Sequence, residues 1–370
     1  LALSTRAEQS SDKWVLNGTK MWISNAAWAN LFLVMAKVDG EHVTAFLVER
    51  GSPGVSVSRE EHKLGILGSS TARLVLEKVH VPKENLLHMV GKGHHVALNA
   101  LNIGRFKLAA MALGPAREAM YLCTGYAQDR RQFGRPIGDF GLIRQKLADM
   151  AARFFAAESV LCRTGANVDS AFAAFGGTVE GNQKAAEAFS VECSALKVFA
   201  SEAQALIVDE ALQIFGGYGY SEEFPLARIY RDARISRIYE GTNEIIRTYI
   251  AARLCKKPHD GVASIEAARD SFVSELAGRA IRAYDPGNQV SLGAMSDLVI
   301  LTYAEQSARL RAEKVGGIAT AAHERFADWA SVRAAEAFRT ITGEAITIPA
   351  PSLGHVDALA EAALAARGPI

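Results

Sequence analysis

One change of texture divides this chain and limits its fold more than any other feature. Up to about residue 92 the apolar residues fall in short runs rich in Val, Leu and Phe: Trp14–Leu16, Leu31–Val38, Val43–Val48, Val55–Val57 and Ala72–Val81. Asn17-Gly18, Asp39-Gly40 and Ser52-Pro53-Gly54 separate them as turn signals. Short strands with no helices between them do not build a parallel α/β layer, so residues 1–92 read as an antiparallel β-domain, a sandwich or barrel. From about Gly93 the spacing becomes helical. Val96–Arg130, Leu142–Ala166 and Gln183–Gln213 carry apolar residues three and four apart. With a shorter helix ending near Arg253 they predict a four-helix bundle over residues 93–255, with Ala171–Asn182 as a loop. Residues 256–370 read as an additional C-terminal helical domain. Its helices are expected at Ser264–Tyr284, Leu292–Lys314 and Ala319–Thr342, with a short Ala-rich helix at the end. The expected fold class is α+β, mostly α.

Composition removes several function classes. Forty-one Lys+Arg against 40 Asp+Glu leave a net charge of +1, which gives no basic field for nucleic acid. No apolar run in the sequence approaches the ~18 residues of a membrane span. Cys123, Cys162, Cys193 and Cys255 are far apart and form no CxxC pair, so neither a zinc site nor a disulfide framework is expected, and a reducing compartment fits best. His94-His95 is the one adjacent histidine pair, and neighbours on a helix point about 100° apart, so no metal site is expected there. GxGxxG, P-loop, HExxH and GxSxG patterns are absent. The chain opens at Leu1 and enters a strand-like stretch almost at once, without a secretory leader, so the β-domain reads as incomplete at its N-terminal side.

Four segments carry possible chemistry, and each has a plain structural alternative. Gly216, Gly217 and Gly219 follow a long helix. They either form an elaborate helix end or let backbone approach a ligand or another chain. In Tyr239-Glu240-Gly241-Thr242-Asn243-Glu244, Glu240 is a base projecting into a cavity, a helix N-terminal charge or a solvated loop residue. Asp129 to Pro136, with Arg130, Arg131, Phe133 and Arg135, sets guanidinium groups beside an aromatic ring. That suits a diphosphate next to a planar ring, or an ordinary basic helix C-terminus. In the strand Lys20–Asn25, Trp22 packs either on a planar cofactor or into the core.

Together, and in this order, the four segments resemble the acyl-CoA dehydrogenase family. Gln213-x-x-Gly216-Gly217-x-Gly219-Tyr220 followed by Glu223, Arg228 and Asp232 fits that family's C-terminal signature at each constrained position. The resemblance runs from about residue 5 to Arg253 and is similar to the very-long-chain branch in NIGRF (Asn102 to Phe106), DFGLIRQKLADM (Asp139 to Met150) and HERFADWASVRAAEAFR (His323 to Arg339). It implies α,β-dehydrogenation of a long-chain acyl-CoA to the trans-2-enoyl-CoA in fatty-acid β-oxidation, with FAD as cofactor. Glu240 matches the general base that removes the α-proton, and the β-hydrogen leaves as hydride to flavin N5. Some members place the base on the helix containing NIGRF, where the corresponding residue is Gly104.

By the same resemblance, Trp22, Ile23 and Ser24 line the flavin ring. Arg130, Gln132, Phe133, Gln213, Gly216 and Gly217 match contacts to the FAD of a neighbouring subunit. Thr242 and Glu244 match positions near its pyrophosphate or adenosine, and Asn102, Arg105 and Gly241 match positions around the acyl-CoA. The implied partners are an electron-transferring flavoprotein and a second copy of the chain, in a homodimer with shared FAD sites. Peripheral membrane contact through Lys256 to Asp270 is a further expectation. The expected location is the bacterial cytoplasm, or the mitochondrial matrix or inner-membrane face in a eukaryote. The family also has an N-terminal helical domain and a TEPxxGSD-type loop, and this chain is expected to start just after that loop. Two other functions fit the pattern: an acyl-CoA oxidase, and a cofactor-free helical assembly protein that keeps the fold.

Overall fold

The computed structural model describes residues 3–256, 271–352 and 354–369. The chain divides into two compact units, Leu1–Leu101 and Asn102–Ile370.

The first unit is a seven-stranded sheet. Its strands are β1 (Arg6–Ser10), β2 (Lys13–Ser24), β3 (Leu31–Val38), β4 (His42–Glu49), β5 (Val55–Val57), β6 (Thr71–Pro82) and β7 (Leu86–Leu87), in the order β5-β6-β2-β1-β3-β4-β7. Alternation decides which side chains go inward: Phe32, Val34, Ala36 and Val38 of β3 are buried while Leu31 and Leu33 face out. Trp14 and Phe46 meet edge to face at 5.5 Å in this core. The Asp39-Gly40 signal makes the β3–β4 hairpin, with both residues at positive φ, 51° and 77°.

Two expectations need correcting here. The sheet is not wholly antiparallel, because β1 pairs parallel with β3 through Arg6↔Lys37 and Ala7↔Val38. The β1–β2 hairpin folds β1 into the sheet, and the chain returns from Ser24 to lay β3 along its free side. Asn17-Gly18 is not a turn either. It lies inside β2 at a register shift, where Asn17 Oδ1 accepts a hydrogen bond from the Lys78 amide at 2.8 Å, so the bulge uses the same residues a turn would.

The second unit contains the helices, of which α1 (Gly93–Asp129) begins in the first. They continue with α2 (Gly141–Phe175), α3 (Val179–Ala188), α4 (Ser190–Phe215), α5 (Gly217–Tyr220), α6 (Pro225–Ala233) and α7 (Asn243–Lys256). After the undescribed stretch come α8 (Phe272–Ala280), α9 (Gln289–Val315), α10 (Ile318–Thr342) and α11 (His355–Ala366). α2 runs into the expected loop because residues 171–175, Ala-Phe-Ala-Ala-Phe, favour helix. Only Gly176, Gly177 and Thr178 remain as a link, and the Thr178 hydroxyl caps α3 by accepting from the Gly181 amide at 2.9 Å. The expected helix Gln183–Gln213 is two, broken at Phe189 (φ −111°, ψ 32°) with neither Gly nor Pro to mark it.

α9 and α10 form an antiparallel pair joined by Gly316-Gly317. These helices share one apolar core with the bundle, from Ala109 and Met120 through Phe154 and Phe199 to Phe326, Phe338 and Leu359. Arg325 pairs with Asp149 at 2.8 Å and Arg144 with Asp357 at 2.6 Å, pinning α10 and α11 to α2. On length and composition α1 reaches the mark of a membrane-crossing helix, with mean hydropathy 1.2 over one 18-residue stretch, 38% of which is buried. Along the same helix Ala109, Leu113, Ala116, Ala119, Met120, Cys123 and Ala127 lie in the core. The expected membrane-contact segment and the start of the helix expected at Ser264 fall on residues 257–270, outside the described residues.

Candidate active site

After α6, a 3₁₀ turn (Arg234–Arg237) delivers the chain to the loop Ile238–Thr242 before α7 starts. Glu240 has φ +57° and Gly241 φ +96°. A left-handed backbone costs a residue with a Cβ about 1–3 kcal/mol, so it persists only where its surroundings hold it. Here they do. Upstream, the Tyr239 amide donates to the Ile235 carbonyl at 3.1 Å. Downstream, the Ile246 amide donates to the Thr242 carbonyl at 2.9 Å. Gly241 leaves little room: a Cβ there would lie 3.3 Å from Ile246 Cγ1.

The loop sets the Glu240 carboxylate against α1 at Gly104. A Cβ on Gly104 would be 2.9 Å from Oε2 and 3.5 Å from Cδ of Glu240. The side chain is half-buried, and Arg105, next along α1, is buried with 5% exposure. Arg105 Nη1 donates to Ser194 Oγ at 3.0 Å, Nε approaches the Glu240 carbonyl at 3.5 Å, and the guanidinium lies 5.1 Å from the Tyr249 ring centroid. Burial pulls the Arg105 pKa below its usual value, against the pull of Tyr249, Glu240 and Cys193. Asn102, one turn back, is buried, and its Oδ1 has no hydrogen-bond partner among the described residues.

Lys197 of α4 reaches the same loop. Its side chain is fully buried, and Nζ donates to the Gly241 carbonyl at 2.8 Å and to Asn243 Oδ1 at 2.9 Å. Burial, reinforced by Arg105, lowers its pKa to about 8. Asn243 Nδ2 donates to Ser201 Oγ at 3.1 Å and Glu202 Oε1 at 3.0 Å. Glu202 in turn holds Arg247 by two bonds, at 2.8 and 3.1 Å, and Arg247 Nε reaches Asp297 of α9 at 2.8 Å. A polar chain therefore runs from the loop to the C-terminal helices.

The expected cofactor residues fall into separate groups. In the first unit, Trp22 sits at a register shift between Lys20 and Ile23, with φ +60° and 64% exposure. The bulge turns its indole outward, away from the core role a strand Trp usually takes. Ile23 is half-buried and Ser24 exposed beside it. In the second unit, Arg130, Gln132, Gly216 and Gly217 line one cavity of about 560 Å³ with Tyr126, Tyr218 and Glu223. A Cβ at Gly216 or Gly217 would meet nothing within 4 Å, so their backbone is open to a ligand. An accessible guanidinium, a carboxamide and bare glycine backbone fit a diphosphate-containing group such as FAD. Gln213 is exposed at the last turn of α4, and Phe133, 93% exposed, points to solvent. Thr242 acts as a cap for α7, its hydroxyl accepting from the Ile245 amide at 3.4 Å. Glu244 lies in the first turn of α7, where backbone and Thr242 hydrogen bonds lower its carboxyl pKa.

Lys197, Ser194 and Asn243 escaped the sequence reading. One signal was there: a lone cation in the otherwise small and apolar stretch Ser194-Ala-Leu-Lys-Val-Phe-Ala of a core helix, which is retained in a core only when paired.

The acyl-CoA dehydrogenase middle-domain profile matches residues 1–79 and the acyl-CoA dehydrogenase C-terminal-domain profile residues 91–255. A probable acyl-CoA dehydrogenase of Bacillus subtilis is 40% identical over 345 residues, covering 83% of this chain and 58% of that protein. The human short-chain enzyme is 41% identical over 259 residues, 69% of this chain and 59% of its own length. The very-long-chain enzyme of Macaca fascicularis is 40% identical over 251 residues, 65% of this chain and 36% of its own. Likeness to the very-long-chain branch is thus not set apart from likeness to the short-chain one. The chain spans about 58% of the length of the Bacillus subtilis relative. An acyl-CoA dehydrogenase of Bacillus anthracis, solved with FAD, superposes with a TM-score of 0.86 at 35% identity, over 99% of this chain and 73% of that one. The likeness therefore takes in the C-terminal helices as well as the bundle, and the chain belongs to the acyl-CoA dehydrogenase family, whose members are FAD-dependent oxidoreductases.

Proposed function

We propose that this chain carries the catalytic base of an acyl-CoA dehydrogenase, with Glu240 removing the α-proton of a bound acyl-CoA. The observation that carries the reading is the Glu240 carboxylate, held by a left-handed loop residue against a position on α1 that only Gly leaves open. A carboxylate with an ordinary pKa of about 4 is a weak base toward a carbon acid. Two features help here: the side chain is half-buried, and its position is fixed from both sides of the loop, which presents the carboxylate to a bound substrate without reorganisation. Asn102, with its free carboxamide oxygen, and Gly241 are the proposed substrate contacts.

Bound FAD supplies the two-electron acceptor for the β-hydrogen. Trp22, Ile23 and Ser24 would hold its ring. Arg130, Gln132, Gly216 and Gly217 offer a diphosphate site for the FAD of a second copy of the chain, with Phe133 and Gln213 at its edge, and Thr242 and Glu244 are further proposed cofactor contacts. Phe133, almost wholly exposed, suits a residue that reaches a second copy of the chain. The proposed partners are that second copy and an electron-transferring flavoprotein. A long acyl chain is the proposed substrate, supported by the C-terminal helices and by the motifs similar to the very-long-chain branch. Rates with butyryl-, octanoyl- and palmitoyl-CoA measure this preference directly.

The decisive test is Glu240→Gln, followed by anaerobic bleaching of the flavin on mixing with acyl-CoA. Loss of a general base lowers this rate by about 10²–10⁴-fold while flavin binding is retained. Bleaching at the parent rate in this variant refutes the assignment. Peroxide produced in air at the rate of turnover would favour an oxidase.

A further inference from the structure

We propose that Lys197 is a positioning residue for the base, clamping the loop that carries Glu240. The inference rests on the assignment of Glu240 made above and adds to it the group that holds this residue in place.

Lys197 lies on α4 among Ala200, Ser201, Cys193 and Ser194, all buried. An ammonium is costly there unless its donors are used. Its two recorded acceptors both belong to the residues just past the base, the Gly241 carbonyl at 2.8 Å and Asn243 Oδ1 at 2.9 Å. Arg105 approaches the carbonyl of Glu240 itself. Two consecutive carbonyls are thus drawn toward cations on two different helices. In a trans peptide the N–H points opposite its carbonyl, so the same bonds fix the amides of Gly241 and Thr242.

Without them the left-handed backbone at Glu240 has a cheaper conformation to relax into, and the carboxylate moves with it. The clamp is itself braced. Asn243, the second acceptor, is fixed by Ser201 and Glu202, and Glu202 by Arg247 and through it Asp297. The groups facing Lys197 are Arg105 from α1, Glu202 from its own helix, Glu240 from the loop and Glu244 from α7. Three carboxylates against one guanidinium keep a charged amine acceptable at this point.

The test uses the full chain with FAD and compares Lys197→Met, close in length but unable to donate, with the parent. Two readouts are taken: deuterium uptake by the amides of residues 239–246, and the rate constant and half-saturation of flavin bleaching by palmitoyl-CoA. The clamp predicts uptake about 10-fold faster or more in this segment, with β-sheet amides unchanged. It also predicts a bleaching rate constant lowered about 10- to 100-fold and a half-saturation changed less than about 3-fold. Lys197→Gln stops about one bond length short of both acceptors and serves where the Met variant does not fold, with the same expectation. Unchanged uptake in either folded variant overturns the proposal. Glu240→Gln separates the two ideas, since it should stop bleaching and leave uptake as in the parent. Local opening in Lys197→Met together with full bleaching in Glu240→Gln would keep the clamp and discard Glu240 as the base.

Discussion

Gly104→Ala should lower the rate while leaving stability nearly unchanged, which makes it an informative perturbation of this site. The added methyl would lie 2.9 Å from Oε2 of Glu240. An unstrained contact needs about 3.4 Å or more, so the carboxylate must retreat by roughly half an ångström. It is the free end of a side chain, and its retreat costs about 0.5–1.5 kcal/mol of rotamer strain. Replacing Gly with Ala inside a helix returns about 1 kcal/mol, so the fold should be within about 1 kcal/mol of the parent. Catalysis has no such compensation. A misplacement of about 1 Å can cost 10²-fold, and half of that predicts a bleaching rate lowered roughly 10-fold or more. Stopped-flow bleaching by acyl-CoA gives the rate, and urea denaturation the stability. Gly114→Ala is the control on the same helix: its Cβ meets nothing within 4 Å, so it should gain stability and keep the parent rate. If Gly104→Ala bleaches as fast as Gly114→Ala, the carboxylate is not working from the place where the structure puts it.

Two further outcomes follow. Burial lowers the Lys197 pKa to about 8 from 10.5, so between these values the unfolded chain binds a proton that the folded chain does not. Stability must then rise with pH across that window, and the parent's advantage over Lys197→Met should grow from pH 8 to 10.5 by at most about 3 kcal/mol. Denaturation midpoints of both proteins at matched pH measure it, and a pH-independent difference contradicts the burial of a charged amine. Separately, Gly216 has φ +59° and ψ −136° with open space at its Cβ, whereas Gly217 begins a helical turn at ordinary φ. Gly216→Ala should therefore cost about 1–3 kcal/mol through backbone strain alone and Gly217→Ala well under that. Equal losses in the two variants would show that sterics, not the backbone, set the need for Gly.

The fold was legible wherever one period dominated. Alternation in Leu31–Val38 and the positive-φ pair Asp39-Gly40 marked a hairpin that the structure contains, and the long three-and-four spacings marked helices. Legibility failed where one local signal serves two geometries. Asn17-Gly18 suits both a turn and a bulge, and the choice lies with Lys78 on the strand opposite, 61 positions away. It failed again at Phe189, where a helix breaks with no breaker residue. The proposed base, Glu240, is singled out by the resemblance of its Tyr239-Glu240-Gly241-Thr242 loop to a family motif, since the residues alone leave it open among three roles. Lys197 and Ser194 are not singled out, because they lie on α4 and meet the loop and Arg105 of α1 only after packing.

That division has a physical consequence for how the site is built. A carboxylate on α1 would stand on unstrained helical backbone, whereas Glu240 stands on a loop that must be forced left-handed. In return the loop gains an anchor from each of three helices, Arg105 on α1, Lys197 on α4 and Asn243 at the start of α7. Its position thus reports how those helices pack. α4 also ends at Gly216, in the cavity with Arg130 and Gln132. From Lys197 to Gly216 is 19 residues, roughly 28 Å of continuous helix at 1.5 Å each. At that separation, with no shared hydrogen-bond partners among the described residues, substitutions at the two ends should act independently. The helix then works as a rigid spacer, setting the proposed base and the diphosphate-suited cavity at a fixed distance while leaving each to be tuned alone.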